Sequence, residues 1–125
     1  MEKIKVLIAD DHRVVREGLA AILKTKDDIN VVGEAQDGVE AVEKTKTLMP
    51  DVILMDVSMP RMGGIEATRQ IKREFPHMGI VALTMYEEQQ YIFDLVRAGA
   101  TGYLLKDSES SQIVAAIRAI YRGES

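Results

Sequence analysis

The chain has 125 residues, of which 46% are apolar and 29% charged, and it carries a net charge of −4. One domain of ordinary size with a buried core fits these figures; two cores or a disordered chain do not. The acidic balance speaks against a nucleic-acid-binding module, and the absence of Cys excludes disulfide scaffolds, thiolate zinc sites and cysteine nucleophiles.

Ile4–Ala9 is a short apolar run closed by Asp10-Asp11, the pattern of a strand buried on both faces. Val15, Leu19, Ile22 and Leu23 then recur at helical spacing. A second apolar run, Val31–Ala35, ends at the turn signal Asp37-Gly38. Val39 and Val42, with Met49 one heptad beyond, make the second helical stripe, which Met49-Pro50 stops. Val52–Met55 predicts the third strand, and Asp56 stands at its end before Pro60 and Gly63-Gly64. Ile65, Thr68, Ile71 and Phe75 predict the third helix, closed by Phe75-Pro76. Ile80–Leu83 ends in Thr84, and Ile92, Leu95 and Val96 follow as a helix with Gly99 as its C-cap. Tyr103–Leu105 ends in Lys106, and Ile113, Val114, Ile117, Ile120 and Tyr121 form the last stripe. Five strand–helix alternations predict an α/β fold, a parallel sheet with helices on both faces and right-handed crossovers. No apolar run approaches the roughly 20 residues that cross a bilayer, and the N-terminal MEKIKVLIADD is too short and too acidic for a signal peptide. A soluble, cytoplasmic chain with no membrane partner is expected.

In open parallel sheets ligands bind beyond the carboxyl ends of the strands, where strand order reverses. Those ends carry Asp10-Asp11, Asp56, Thr84 and Lys106, while the second ends in Gln36-Asp37, an ordinary turn. Taken singly, each has a bland explanation: a helix N-cap, a turn acid, a strand-end hydroxyl, a solvated charge. Together they describe one chemistry. Three carboxylates at one edge call for protonation or a cation, and all-oxygen ligands suit Mg²⁺ or Mn²⁺. A divalent ion beside a hydroxyl and an ammonium suits a phosphoryl group, and an Asp can accept that group as an aspartyl phosphate. Asp56, alone at a central strand end before an open loop, is the acceptor candidate. His12 and His77 read as surface residues with no second ligand at metal spacing, and Met85, Tyr86, Tyr91 and Phe93 as packing or surface residues.

VLIADDH at Val6–His12, DVILMDVSMPRMGG at Asp51–Gly64, ALT at Ala82–Thr84 and GATGYLLKD at Gly99–Asp107 closely resemble the receiver domain of two-component response regulators. The resemblance covers essentially the whole chain, and LTMY, YLLKD and the closing YRGE resemble the LuxR/NarL-type subfamily. It implies a flavodoxin-like (CheY-like) doubly wound sheet, strand order 2-1-3-4-5, with five helices. It implies Asp56 as phosphoacceptor, and Asp10, Asp11, Asp56 and the Ser58 carbonyl as Mg²⁺ ligands. Thr84 would be the switch hydroxyl, Lys106 the phosphate-binding lysine and Tyr103 the switch aromatic. The implied partners are a sensor histidine kinase, a second copy of the chain after phosphorylation, and DNA only through a C-terminal helix-turn-helix domain absent from residues 1–125. Two departures stand out. Asp107 follows Lys106 where many receivers have Pro after a cis bond, so a trans bond is expected. Met85, at the site rim, is large where many have a small residue, and is expected to shield the phosphate from water. The alternatives are a stand-alone receiver acting by protein docking and, further off, a Mg²⁺-dependent phosphohydrolase.

Overall fold

The computed structural model describes residues 2–85 and 89–123; Tyr86 and the terminal Glu124-Ser125 lie outside the described residues. Among the described residues ten elements alternate: β1 Ile4–Ala9, α1 Arg13–Lys24, β2 Ile29–Ala35, α2 Gly38–Leu48, β3 Val52–Asp56, α3 Gly64–Glu74, β4 Gly79–Thr84, α4 Gln89–Ala98, β5 Gly102–Leu105 and α5 Ser110–Tyr121. All strand pairs are parallel, in the order β2-β1-β3-β4-β5. The order reverses between β1 and β3, so the ends of those strands open side by side.

Side-chain alternation splits the core into two layers. Val6, Ile8, Val52, Leu54, Val81 and Leu83 face one side and pack under Leu23 of α1 and Ile113 and Ile117 of α5. Leu7, Ile53, Met55 and Ile80 face the other, against Ala41 of α2 and Ile71 of α3. Ala82 continues that second face toward Leu95 of α4. Full burial on both faces holds for the central β3 and β4 and, apart from Lys5, for β1. The outer β2 and β5 are only partly buried, because an edge strand has a neighbour on one side alone.

The helical stripes hold in part. α1 buries Ala20 and Leu23, while Val15 and Ile22 stay over one-third exposed. Met49 is not the end of the α2 stripe. It caps the helix in the left-handed conformation (φ 46°) and faces solvent, as Val96 of α4 does. Gly99 closes α4 as its sequence position predicts: at φ 102° it donates to the Val96 carbonyl (3.1 Å) while Ala100 donates to Leu95 (3.0 Å). Gly38 and Gly64 read as turn residues, yet each is the first residue of a helix. A Cβ at Gly64 would collide with the Asp56 carbonyl, and one at Gly38 with the Met62 carbonyl. Both glycines let the loop after β3 lie directly against the helices. No peptide bond among the described residues is cis, so Lys106–Asp107 is trans as expected. Among the described residues no helix is long and apolar enough to cross a membrane.

Candidate functional site

Strand register sets the site. Ala9 pairs with Met55, which brings Asp10 level with Asp56 on the neighbouring strand. The ladder runs on past each strand: Asp10 donates to the Ala35 carbonyl (2.9 Å), Val57 to Leu83 (3.0 Å) and Lys106 to Thr84 (2.9 Å). Asp10, Asp56 and Lys106 continue the same alternating face as Ile8, Leu54 and Leu104. Their charged ends therefore converge. The Lys106 ammonium lies 3.0 Å from Asp10 Oδ2 and 3.3 Å from Asp56 Oδ2.

The pocket is buried and under-bonded. Asp10 and Asp56 are 1% and 2% exposed. Although the loop after β3 could leave Asp56 accessible, the carboxylate is buried beside the Lys106 ammonium, which reaches both acids. Oδ2 of each aspartate lies within ion-pair reach of that ammonium, yet neither receives a well-directed hydrogen bond. Among the described residues Asp56 Oδ1 accepts one long bond, from the Ser58 amide at 3.3 Å. Burial pushes the Asp56 carboxyl up to about 6, and repulsion from Asp10 adds to it, while Lys106 and the Ser58 amide pull the other way. Burial draws the Lys106 ammonium down, but the two carboxylates outweigh it and hold it above its ordinary range.

Asp11 completes an acidic cluster. Ligand atoms of Asp10, Asp11, His12 and Asp56 all lie within 4.8 Å of one another. Among the described residues three acidic side chains meet one ammonium there, an excess of acidic groups. The two buried oxygens without hydrogen bonds and this excess together fit a divalent cation.

The other expected residues fall around the pocket. Thr84 is buried at the end of β4, but its place in the alternation puts it on the face of Ala82, opposite Asp56. Tyr103 pairs with Ala82 and shares that face, half-exposed, while Lys106 three residues on takes the other. Ser58 is exposed and Met85 is 72% exposed.

Three features were not anticipated. His12 is exposed, but its ring turns inward: Nδ1 lies 3.3 Å from Asp10 Oδ1 and 3.2 Å from Asp11 Oδ1. The neighbours that spacing did not reveal are its own two predecessors, Asp11 and Asp10. Arg16 backs the acidic loop, donating from Nη1 to the Asp10 carbonyl (2.7 Å) and from Nε to Glu34 (3.1 Å). Asp37 is a buried N-cap of α2 whose carboxylate accepts from the Glu40 amide (2.8 Å) and from Nε and Nη2 of Arg61 (2.9 and 3.2 Å). The sequence signal for that cap, an Asp directly before a Gly and a helical stripe, was present in Asp37-Gly38. Arg61 adopts φ 63°, and Gly38 donates to the Met62 carbonyl (2.8 Å), so the loop following Asp56 is tied to the start of α2.

Comparison with known proteins agrees with this fold. The family model described as response regulator receiver domain matches residues 6–118. The oxygen regulatory protein NreC of Staphylococcus carnosus is 46% identical over 98% of this chain and 57% of its own length. The uncharacterized transcriptional regulatory protein YxjL of Bacillus subtilis is 47% identical over 99% of this chain and 57% of its own. The chain thus spans a little over half the length of these relatives. Among solved structures, the signal receiver domain of the response regulator NarL from Mycobacterium tuberculosis is 35% identical and superposes with a TM-score of 0.95, covering 99% of this chain and 100% of that one. A LuxR-family response regulator from Aurantimonas is also 35% identical, with a TM-score of 0.93 over 98% of this chain and 88% of that one. The protein therefore belongs to the family of response regulator receiver domains, and its relatives are of the NarL and LuxR type.

Proposed function

We propose that this chain is a cytoplasmic, phosphorylation-controlled switch in which Asp56 accepts a phosphoryl group from the phosphohistidine of a sensor kinase. The observation that carries the reading is Lys106 reaching both Asp10 and Asp56 at the mouth of a buried, under-bonded acidic pocket. An Asp56 carboxyl at about 6 is mostly ionised at neutral pH, yet more basic than an ordinary carboxylate, which suits a nucleophile. An Asp56 oxygen bonds to phosphorus, the phosphorus–nitrogen bond of the donor breaks, and the departing imidazole nitrogen keeps the electron pair and takes up a proton. Asp10, Asp11, Asp56 and the Ser58 carbonyl would hold Mg²⁺, which supplies charge neutralisation for the transferring phosphoryl oxygens. Lys106 then pairs with the new phosphate, and Thr84 turns its hydroxyl toward it from the β4 end.

The switch follows from the two faces of the sheet. Thr84 and Tyr103 share the face that Asp56 and Lys106 do not, so movement of Thr84 changes the packing beside the Tyr103 ring. The surface of α4, β5 and α5, with Phe93, Val96 and Tyr103 exposed, is the output face, and phosphorylation favours a homodimer there or through α1 and α5. The output is transcriptional, through a helix-turn-helix DNA-binding domain beyond residues 1–125, in keeping with the regulatory names of NreC and YxjL and with their greater length.

The test is intact-mass measurement after treatment with acetyl phosphate and Mg²⁺. One phosphate, labile to hydroxylamine, is expected on the parent and none on Asp56→Asn. Equal labelling of that variant rejects the assignment.

A further inference from the structure

The pocket holds one group that its phosphoryl chemistry does not use. Resting on the reading of the pocket as a divalent cation site, we infer that His12 is a nitrogen ligand of that site, so that it accepts borderline ions of the Mn²⁺ to Zn²⁺ series through imidazole as well as carboxylate. Three observations support this. The His12 ring is exposed yet turned inward, with Nδ1 3.3 Å from Asp10 Oδ1 and 3.2 Å from Asp11 Oδ1. Ligand atoms about 2.0–2.2 Å from one ion lie roughly 3.0 Å apart along an octahedral edge and about 3.4 Å apart along a tetrahedral one, so these separations suit a shared ion. Second, Asp10 Oδ2 and Asp56 Oδ2 are buried with no directed hydrogen bond beyond their shared ion pairs to Lys106, and all four residues place ligand atoms within 4.8 Å. Third, the His12 backbone is fixed as the N-cap of α1, extended at φ −91° and ψ 109°, with its amide bonded to Asp10 Oδ1 at 2.8 Å. The ring is therefore tethered beside the carboxylates. In the Nε2–H tautomer, Nδ1 presents a lone pair to the same small volume as the carboxylate oxygens.

The consequence is selectivity. Mg²⁺ prefers oxygen and gains little from imidazole, whereas Co²⁺ and Zn²⁺ gain from it beyond their general advantage at oxygen sites. The rival account of the same distances is a plain hydrogen bond from Nδ1–H to the carboxylates, in which case the ring competes with any ion.

Calorimetric titration of the parent, His12→Phe and Asp11→Asn with Mg²⁺ and with Co²⁺ separates these accounts. Ring-nitrogen NMR shifts of His12 in the Zn²⁺-loaded parent serve as a direct readout. Expected are a loss of Co²⁺ affinity of about tenfold or more in His12→Phe, Mg²⁺ affinity nearly unchanged, and a large shift of the Nδ1 resonance alone. Unchanged or tighter Co²⁺ binding by His12→Phe overturns the assignment, as does an equal loss for both ions. If the parent binds neither ion, or Asp11→Asn binds both normally, the divalent-site reading itself fails.

Discussion

Asp37 and Asp56 are equally hidden, at 4% and 2% exposure, and each faces one cation, yet their carboxyls move in opposite directions. Arg61 grips Asp37 with two guanidinium nitrogens, and the Glu40 amide adds a third bond; the Arg61 hydrogen bonds are the leading reason that Asp37 sits below the usual carboxylate range. Asp56 shares one ammonium with Asp10 and receives one long amide bond, so burial prevails and its carboxyl rises to about 6. Arg118 and Asp28, bonded at 2.8 and 2.9 Å between α5 and the turn before β2, behave like the Asp37 pair. The lesson concerns satisfaction together with burial. A carboxylate with its acceptors filled holds two loops together, whereas one left under-bonded keeps electrostatic capacity for a ligand.

The comparison is broken most severely by removing the Asp56 charge. Asp56→Asn is expected to abolish phosphorylation and at the same time to stabilise the chelator-treated protein. With a folded value near 6 against 3.8 for the ordinary group, the folded state binds more protons between those limits. The cost of ionising Asp56 is therefore absent below the lower value and complete above the upper one. Urea unfolding should show a gain of about 1–3 kcal/mol near pH 7 and a smaller one near pH 4.5. Equal gains at both pH values would show that the carboxylate is not strained. Asp37 has the opposite sign: its contribution is complete above the ordinary carboxyl value and disappears as pH falls through its lowered one.

Next in size is Lys106→Met. Without the shared ammonium the two carboxylates repel uncompensated, at about 1–3 kcal/mol of metal-free stability. Carboxyl NMR titration should find Asp56 above its parent value; a fall would mean that Lys106 does not face it. Asp37→Ala removes the α2 cap and should cost about 1 kcal/mol in the same unfolding assay, with Asp56 titrating as in the parent. A shift of Asp56 in that variant would show that the two regions are coupled through the Arg61 loop.

The smallest effects belong to residues at the edge of the pocket. Met85→Ala is expected to shorten the phosphate lifetime by a few-fold at most, because a side chain that is 72% exposed shields little; the decay of labelled protein measures it. Tyr103→Ala should phosphorylate normally and weaken phosphorylation-dependent dimerisation, seen by sedimentation. If both properties match the parent, Tyr103 is a packing residue.

Element order was legible because it follows from local pattern. Apolar runs of strand length and stripes of helical spacing alternate along the chain, and a parallel, two-faced sheet is the arrangement that buries them all. The polar strand ends Asp10, Asp56, Thr84 and Lys106 were legible for the same reason, since a parallel sheet puts every such end at one edge. Direction and partnership were not. Whether Asp56 lies open or under Lys106, whether His12 points out or in, and whether Asp37 is a turn residue or a gripped cap depend on register and on loops far apart in sequence. Arg61 reaches across 24 residues to Asp37, and Lys106 crosses the sheet from β5 to β1. Local sequence determines which residues reach the edge, because periodicity and turn chemistry act over a few residues. Only the tertiary structure decides which charges are satisfied there, because hydrogen bonds and desolvation depend on atoms that meet only after the strands are paired.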